Sequence, residues 1–220
     1  DKYFSINSLG NISITPDKKS KKNIDLFKLV KEIKSREINT PLIIRFNDIL
    51  KDRITELNQA FSKAIETYDY KNIYQGVFPI KCNQQKNVLE KIIEYGDNWD
   101  FGLEVGSKAE LLIGLSILEN TKSLLICNGY KDTKYIESAI LARKLGKQPI
   151  IVIEQRDEVR RIIEAVKNLK ATPILEIRAK LSSRSSGRWR KTVGENSKFG
   201  LSIPEIVLTI KELKAANLLN

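Results

Sequence analysis

In "YQGVFPIKCNQQ", residues 74–85, an apolar run ends on Lys81 and passes into Cys82 and three amide side chains, Asn83, Gln84 and Gln85. Burying an unpaired ammonium is costly, so Lys81 is either a solvated surface residue or a reactive amine at a strand end. Other apolar runs close on residues of comparable interest: Glu104 in "WDFGLEV" (99–105), Asn128 in "SLLICNG" (123–129), Glu154 in "PIIVIE" (149–154) and Arg178 in "PILEIRAK" (173–180). If these runs are parallel strands, all five side chains gather at the carboxyl edge of one sheet, where α/β folds bind ligands. A lysine emerging there can form a Schiff base with an aldehyde such as pyridoxal phosphate. The bland alternative is a solvated Lys81 and a structural ion pair between Glu104 and Arg178.

Helices and strands that could hold these residues alternate from residue 47 onward, the pattern of an α/β domain with a mostly parallel sheet. Strands are expected at 41–46 ("PLIIRF"), 73–80, 99–105, 123–129, 149–154 and 173–180. Leu50, Ile54, Leu57, Phe61, Ile65 and Tyr68 recur at three- and four-residue steps, one apolar helix stripe. Ser107 with Glu110 and Ser202 with Glu205 have capping-box spacing, and Gly96 and Gly146 stand where left-handed helix ends are expected. The first forty residues differ: "YFSINSLGNISITP" alternates like a β-hairpin, and a lysine-rich stretch and the helix "IDLFKLVKEIKSR" follow. Residues 1–40 are therefore expected to belong to, or pack on, a separate β-domain, and residues 41–220 to form the α/β part. A doubly wound sheet and a (β/α)8 barrel both suit the pattern. A complete barrel takes about 250 residues, so a barrel here would be unfinished.

Composition narrows the chemistry. The 220 residues contain no histidine, which argues against Ser-His-Asp hydrolysis and the commonest metal sites. Cys82 and Cys127 lack metal-ligand spacing and read as reduced thiols. No apolar run approaches the roughly 20 residues of a spanning helix, and the opening lacks a signal-peptide block, so a cytoplasmic protein without a membrane partner is expected. The net charge of +11 is local: seven Lys/Arg against one acidic residue fall between Arg178 and Lys198. Arginines around Trp189 in "RSSGRWRKTVG" could clamp single-stranded nucleic acid. The run from Lys18 to Lys22 reads as a solvated loop.

Taken in order and spacing, "YQGVFPIKCNQQKNVLEKIIEYG", "FGLEVGSKAELL", "ICNGYKD" and "SSGRWRKTVGENSKFGLS" closely resemble the arginine decarboxylases of the alanine-racemase-like, fold type III class of pyridoxal-phosphate enzymes. Ornithine and diaminopimelate decarboxylases share that class. The likeness covers nearly the whole chain, is far more specific than a lone glycine-rich pattern, and makes the basic loop a decarboxylase feature rather than a nucleic-acid motif. It implies an incomplete (β/α)8 TIM-type barrel, about the first six strands, preceded by a short β-hairpin segment. It also implies that Lys81 holds pyridoxal 5'-phosphate and that Glu104, Arg178 and Lys198 help bind it by fixing the ring and its neighbours, Lys198 from the S-K-F-G turn as a loop anchor rather than a catalyst. The implied reaction converts L-arginine to agmatine and carbon dioxide for putrescine and spermidine synthesis, in a magnesium-using homo-oligomer. The family's ring-stacking histidine, phosphate loop and ring-nitrogen glutamate all follow S-K-F-G, so the chain reads as an N-terminal fragment. Cys82 is an apolar residue in many arginine enzymes and a cysteine in many ornithine enzymes. Open alternatives are a decarboxylase of ornithine, lysine or diaminopimelate, and a non-catalytic homologue or partner subunit.

Overall fold

A computed structural model describes residues 2–16, 23–180 and 197–219. The basic loop around Trp189 and the Lys18–Lys22 run lie outside the described residues. Two compact units divide the chain, Asp1–Tyr74 and Gln75–Asn220.

Strands β1 (Phe4–Ile6), β2 (Ile12–Ile14) and β3 (Ile24–Asp25) of the first unit form an antiparallel sheet in that order. The hairpin is the one expected, closed by Asn7, whose side-chain oxygen accepts the N–H groups of Leu9 and Asn11. β3 was not legible, because two residues are too few to show alternation. Its Asp25 caps helix α1 (Leu26–Ser35) by accepting the Lys28 N–H at 3.0 Å. Hydrogen bonds from the Asn11 side chain and then the Lys28 backbone hold the Asp25 carboxyl down, to about 2. "PLIIRF", residues 41–46, is a correction: it forms no strand, and Ile43 is 77% exposed. Apolar β-branched residues favour extension, but a strand needs a neighbour to take its backbone hydrogen bonds, and none of the described strands pairs with this run. Helix α2 (Asn47–Thr67) follows; Ile54 is buried, while Phe61 stacks on Tyr74 with ring centroids 3.8 Å apart.

In the second unit, parallel strands β4 (Val77–Pro79), β5 (Gly102–Val105), β6 (Leu124–Cys127), β7 (Gln148–Ile153) and β8 (Ile174–Ile177) lie side by side in chain order. Helices α3 (Lys86–Gly96), α4 (Lys108–Ile117), α5 (Thr133–Lys144) and α6 (Arg156–Leu169) join them, and α7 (Ile203–Ala215) closes the described chain. A doubly wound sheet reverses its strand order at a switch point. Here the order never reverses, which is the progression of a (β/α)8 barrel left open. After β8 the chain returns to form one parallel bridge, Ala179 to Leu201, the only trace of a sixth strand position among the described residues.

Alternation along the strands sorts the two faces. Leu103, Val105, Leu125, Cys127, Ile151 and Ile153 are buried against Leu111, Tyr135, Ile136, Ile140, Val159 and Ile162 of the helices. Burial pushes the Cys127 thiol up, to about 12, despite a hydrogen bond with Tyr135 that pulls the other way. The opposite face carries Val77, Pro79, Glu104, Ile126, Val152 and Glu176, which in a closed barrel would point inward. At α7 the Glu205 carboxylate accepts the Ser202 N–H at 2.7 Å, as a capping box requires. At α4 the Ser107 hydroxyl accepts the Glu110 N–H, but the Glu110 carboxylate reaches back to Gly106 instead. Gly146 takes the left-handed conformation expected after α5, with φ +81°. Gly96 does not: its φ is −93°, and it is glycine because a Cβ there would lie 2.4 Å from the Cβ of Phe101.

Candidate active site

β4 stops at Pro79, which has no N–H to continue the ladder, and the chain turns through one 3-10 turn, Ile80–Cys82. Ile80 is fully buried and pins that turn to the core, so Lys81 projects over the sheet's carboxyl edge. Its Nζ stands 3.3 Å from Glu104 Oε1 of the neighbouring strand, and its side chain is 64% exposed, which leaves the amine accessible to a ligand. Glu104 is buried; the same Oε1 accepts Asn128 Nδ2 at 3.0 Å. Asn128 follows β6 and is held there by its own N–H, which donates to Val105 O at 2.8 Å.

A second ion pair closes the far side. Arg178, just beyond β8, donates to Glu154 Oε1 at 2.6 Å; Glu154 is buried and Arg178 half-exposed. Lys81, Glu104, Asn128, Glu176 and Arg178 line one cleft of about 430 Å³ with Val77, Pro79, Ile126 and Val152. That volume is in the range of small-molecule and cofactor sites, and its lining is mixed: four apolar side chains form the floor and five polar or charged ones converge on it.

Glu104 Oε2 and Glu154 Oε2 are buried without a hydrogen-bond partner among the described residues. Buried carboxylate oxygens are normally satisfied, so the site accommodates additional protonated or cationic groups beside those already paired. An accessible amine backed by a buried carboxylate can condense with an aldehyde and keep its charge compensated when released. The residues present therefore fit the reactive end of an aldehyde cofactor. Among the described residues, no group of three or more His, Cys, Asp or Glu side chains could hold a metal ion.

Three of the four expected site residues, Lys81, Glu104 and Arg178, are brought together; Lys198 is not. It is exposed, in the turn before Gly200, and does not line the cleft. Sequence reasoning missed Glu176, although it lies in β8 two residues before Arg178, a spacing that puts both on one face of an extended run. Cys82 is exposed beside Lys81, and both cysteines are free thiols.

An open barrel with an amine and two buried carboxylates at its strand ends defines a cofactor-binding α/β unit. Residues 51–220 match the family model of the pyridoxal-dependent decarboxylases, pyridoxal binding domain, and the chain belongs to that family. Over all 220 residues it is 86% identical to the biosynthetic arginine decarboxylase of Prochlorococcus marinus subsp. pastoris. It is 57% identical over 219 residues to that of a Synechococcus strain. The chain spans 34% of the length of each of these relatives. Among solved structures, the biosynthetic arginine decarboxylase of Campylobacter jejuni superposes with a TM-score of 0.84 at 28% identity, covering 99% of this chain and 34% of that one. A diaminopimelate decarboxylase from M. jannaschii superposes at 0.75 with 19% identity, covering all of this chain and 45% of that one, a likeness of fold alone.

Proposed function

We propose that the chain is the cofactor-anchoring N-terminal part of an enzyme that decarboxylates L-arginine to agmatine and carbon dioxide, feeding putrescine and spermidine synthesis. The observation that carries this reading is 86% identity, without interruption of coverage, to a relative named for that activity. In this reading residues 1–40 belong to or pack on a β-domain, and residues 41–220 are the first part of the cofactor-binding barrel. The whole enzyme is a cytoplasmic homo-oligomer that uses magnesium; among the described residues no helix is long and apolar enough to cross a membrane.

When bound, pyridoxal 5'-phosphate supplies an aldehyde that takes up amines covalently and a ring that accepts the electrons of the breaking Cα–carboxylate bond. Lys81 would be the amine that holds it, and whenever that amine is free it stays at the cleft as an ammonium, a proton carrier. Glu104 holds that ammonium in place at 3.3 Å, and Asn128, bonded to the same oxygen, fixes the carboxylate's direction. Arg178, tied to Glu154, presents its guanidinium to the other side of the cleft. Lys198 acts as an anchor of its turn.

Glu104→Gln in the full-length enzyme keeps the shape but removes the charge opposite Lys81. We expect kcat to fall by about 10²-fold, with KM within about threefold and melting little changed, as read by steady-state kinetics and thermal unfolding. The reading of substrate is tested by carbon dioxide release from the purified full-length protein supplied with arginine, ornithine, lysine or diaminopimelate. Arginine is expected to be turned over fastest. Preference for another of the four reassigns the substrate, and no release from any of them favours a non-catalytic partner subunit.

A further inference from the structure

Beyond the cleft, one lysine and one glutamate are shut away from water altogether. The side chains of Lys131 and Glu158 are each 0% exposed, with Nζ and Oε1 3.2 Å apart. A buried ion pair is often no more stabilising than apolar side chains of similar size, so stability alone gives no reason for this one. Its hydrogen bonds give a different reason. Glu158, in the first turn of α6, accepts the Lys131 N–H on Oε1 at 3.1 Å and the Glu154 N–H on Oε2 at 2.9 Å. Lys131 Nζ donates to Gly129 O at 2.5 Å, and Arg161, also on α6, donates to Lys131 O at 2.9 Å. One carboxylate thus joins two loops: the one after β6, which carries Asn128, and the one after β7, which carries Glu154.

We propose that the Lys131–Glu158 pair is a positioning device that clamps these two loops together, fixing Asn128 against Glu104 and Glu154 against Arg178. Neither residue lines the cleft. Both act through the groups they hold, and the proposal rests on the reading of the cleft given above. Displacing a reacting group's support by an ångström can cost up to 10²-fold in rate, so a rigid clamp one layer behind the site is worth its buried charges.

The test uses the full-length enzyme carrying Lys131→Met together with Glu158→Gln, which removes both charges and keeps the volume. Expected are a melting temperature near that of the wild type and faster amide exchange confined to residues 128–132 and 154–157. Turnover falls by about tenfold with KM nearly unchanged, and the pH dependence of the bound cofactor's absorbance shifts. A folded variant with wild-type kcat and absorbance profile overturns the proposal. So does a loss of rate accompanied by faster exchange throughout the barrel, which marks a merely structural pair. Should the variant not fold, the wild-type protein decides: the Lys131 and Glu154 amides, both donating to Glu158, must exchange among the slowest loop amides, and fast exchange overturns the clamp. Amide exchange does not depend on how Lys81 reacts, so failure of the clamp and failure of the cofactor reading are distinguishable.

Discussion

Lys81→Ala in the full-length enzyme is expected to lower turnover on the order of 10³-fold or more while leaving the protein folded. The two halves of that expectation come from separate observations. The amine is the group that must engage the cofactor's aldehyde, and no other described lysine lines the cleft, so its loss removes the covalent anchor rather than an auxiliary contact. The side chain is 64% exposed, so its removal costs little packing, and the loss of the 3.3 Å ion pair to the buried Glu104 is expected to cost about 1–3 kcal/mol. Glu104 keeps its hydrogen bond from Asn128. Kinetics and thermal melting of the same preparation check both halves. Activity near that of the wild type would refute the assignment, and unfolding would mean that Lys81 is a structural residue.

Gly129→Ala should have the largest effect on the fold. Gly129 has φ +77°, and a Cβ built there would stand 2.3 Å from the carbonyl oxygen of Gly106 in the preceding βα loop. Neither atom is the end of a flexible side chain, so the loop itself must move. The left-handed conformation alone costs roughly 1–2 kcal/mol for a non-glycine residue, and the backbone clash brings the total to about 4 kcal/mol or more. Gly10→Ala is the control: its φ is +75°, but nothing lies within 4 Å of the added carbon. Only the torsional cost applies there. Soluble yield and melting temperature should separate the two variants clearly, and equal behaviour would show that the approach of Gly129 to Gly106 does not matter. Asn128 is the adjacent residue, so whatever Gly129→Ala protein survives should also lose turnover.

Much of the site is legible in the sequence because strand ends are. An apolar run that closes on a charged or amide residue marks the edge of a parallel sheet, and five such runs place Lys81, Glu104, Asn128, Glu154 and Arg178 on one rim. The capping spacing of Ser202 and Glu205 is equally readable, since it depends only on residues three apart. What is not legible depends on neighbours. "PLIIRF" has every local feature of a strand and lacks the partner that makes one. Gly96 reads as a left-handed helix end, whereas its role is to make room for Phe101, five residues away. Nothing local in "GYKD" marks Lys131 as buried, because its carboxylate partner, Glu158, is 27 residues further on. Lys198 is placed near the cleft by its motif alone, and no side-chain contact of the cleft includes it.

The central claim is that one amine, that of Lys81, takes up the cofactor. The full-length protein incubated with pyridoxal 5'-phosphate, reduced with borohydride and digested for peptide mapping tests it directly. A single reduced adduct on Lys81 is predicted; an adduct on a different lysine, or none at all, would contradict the account.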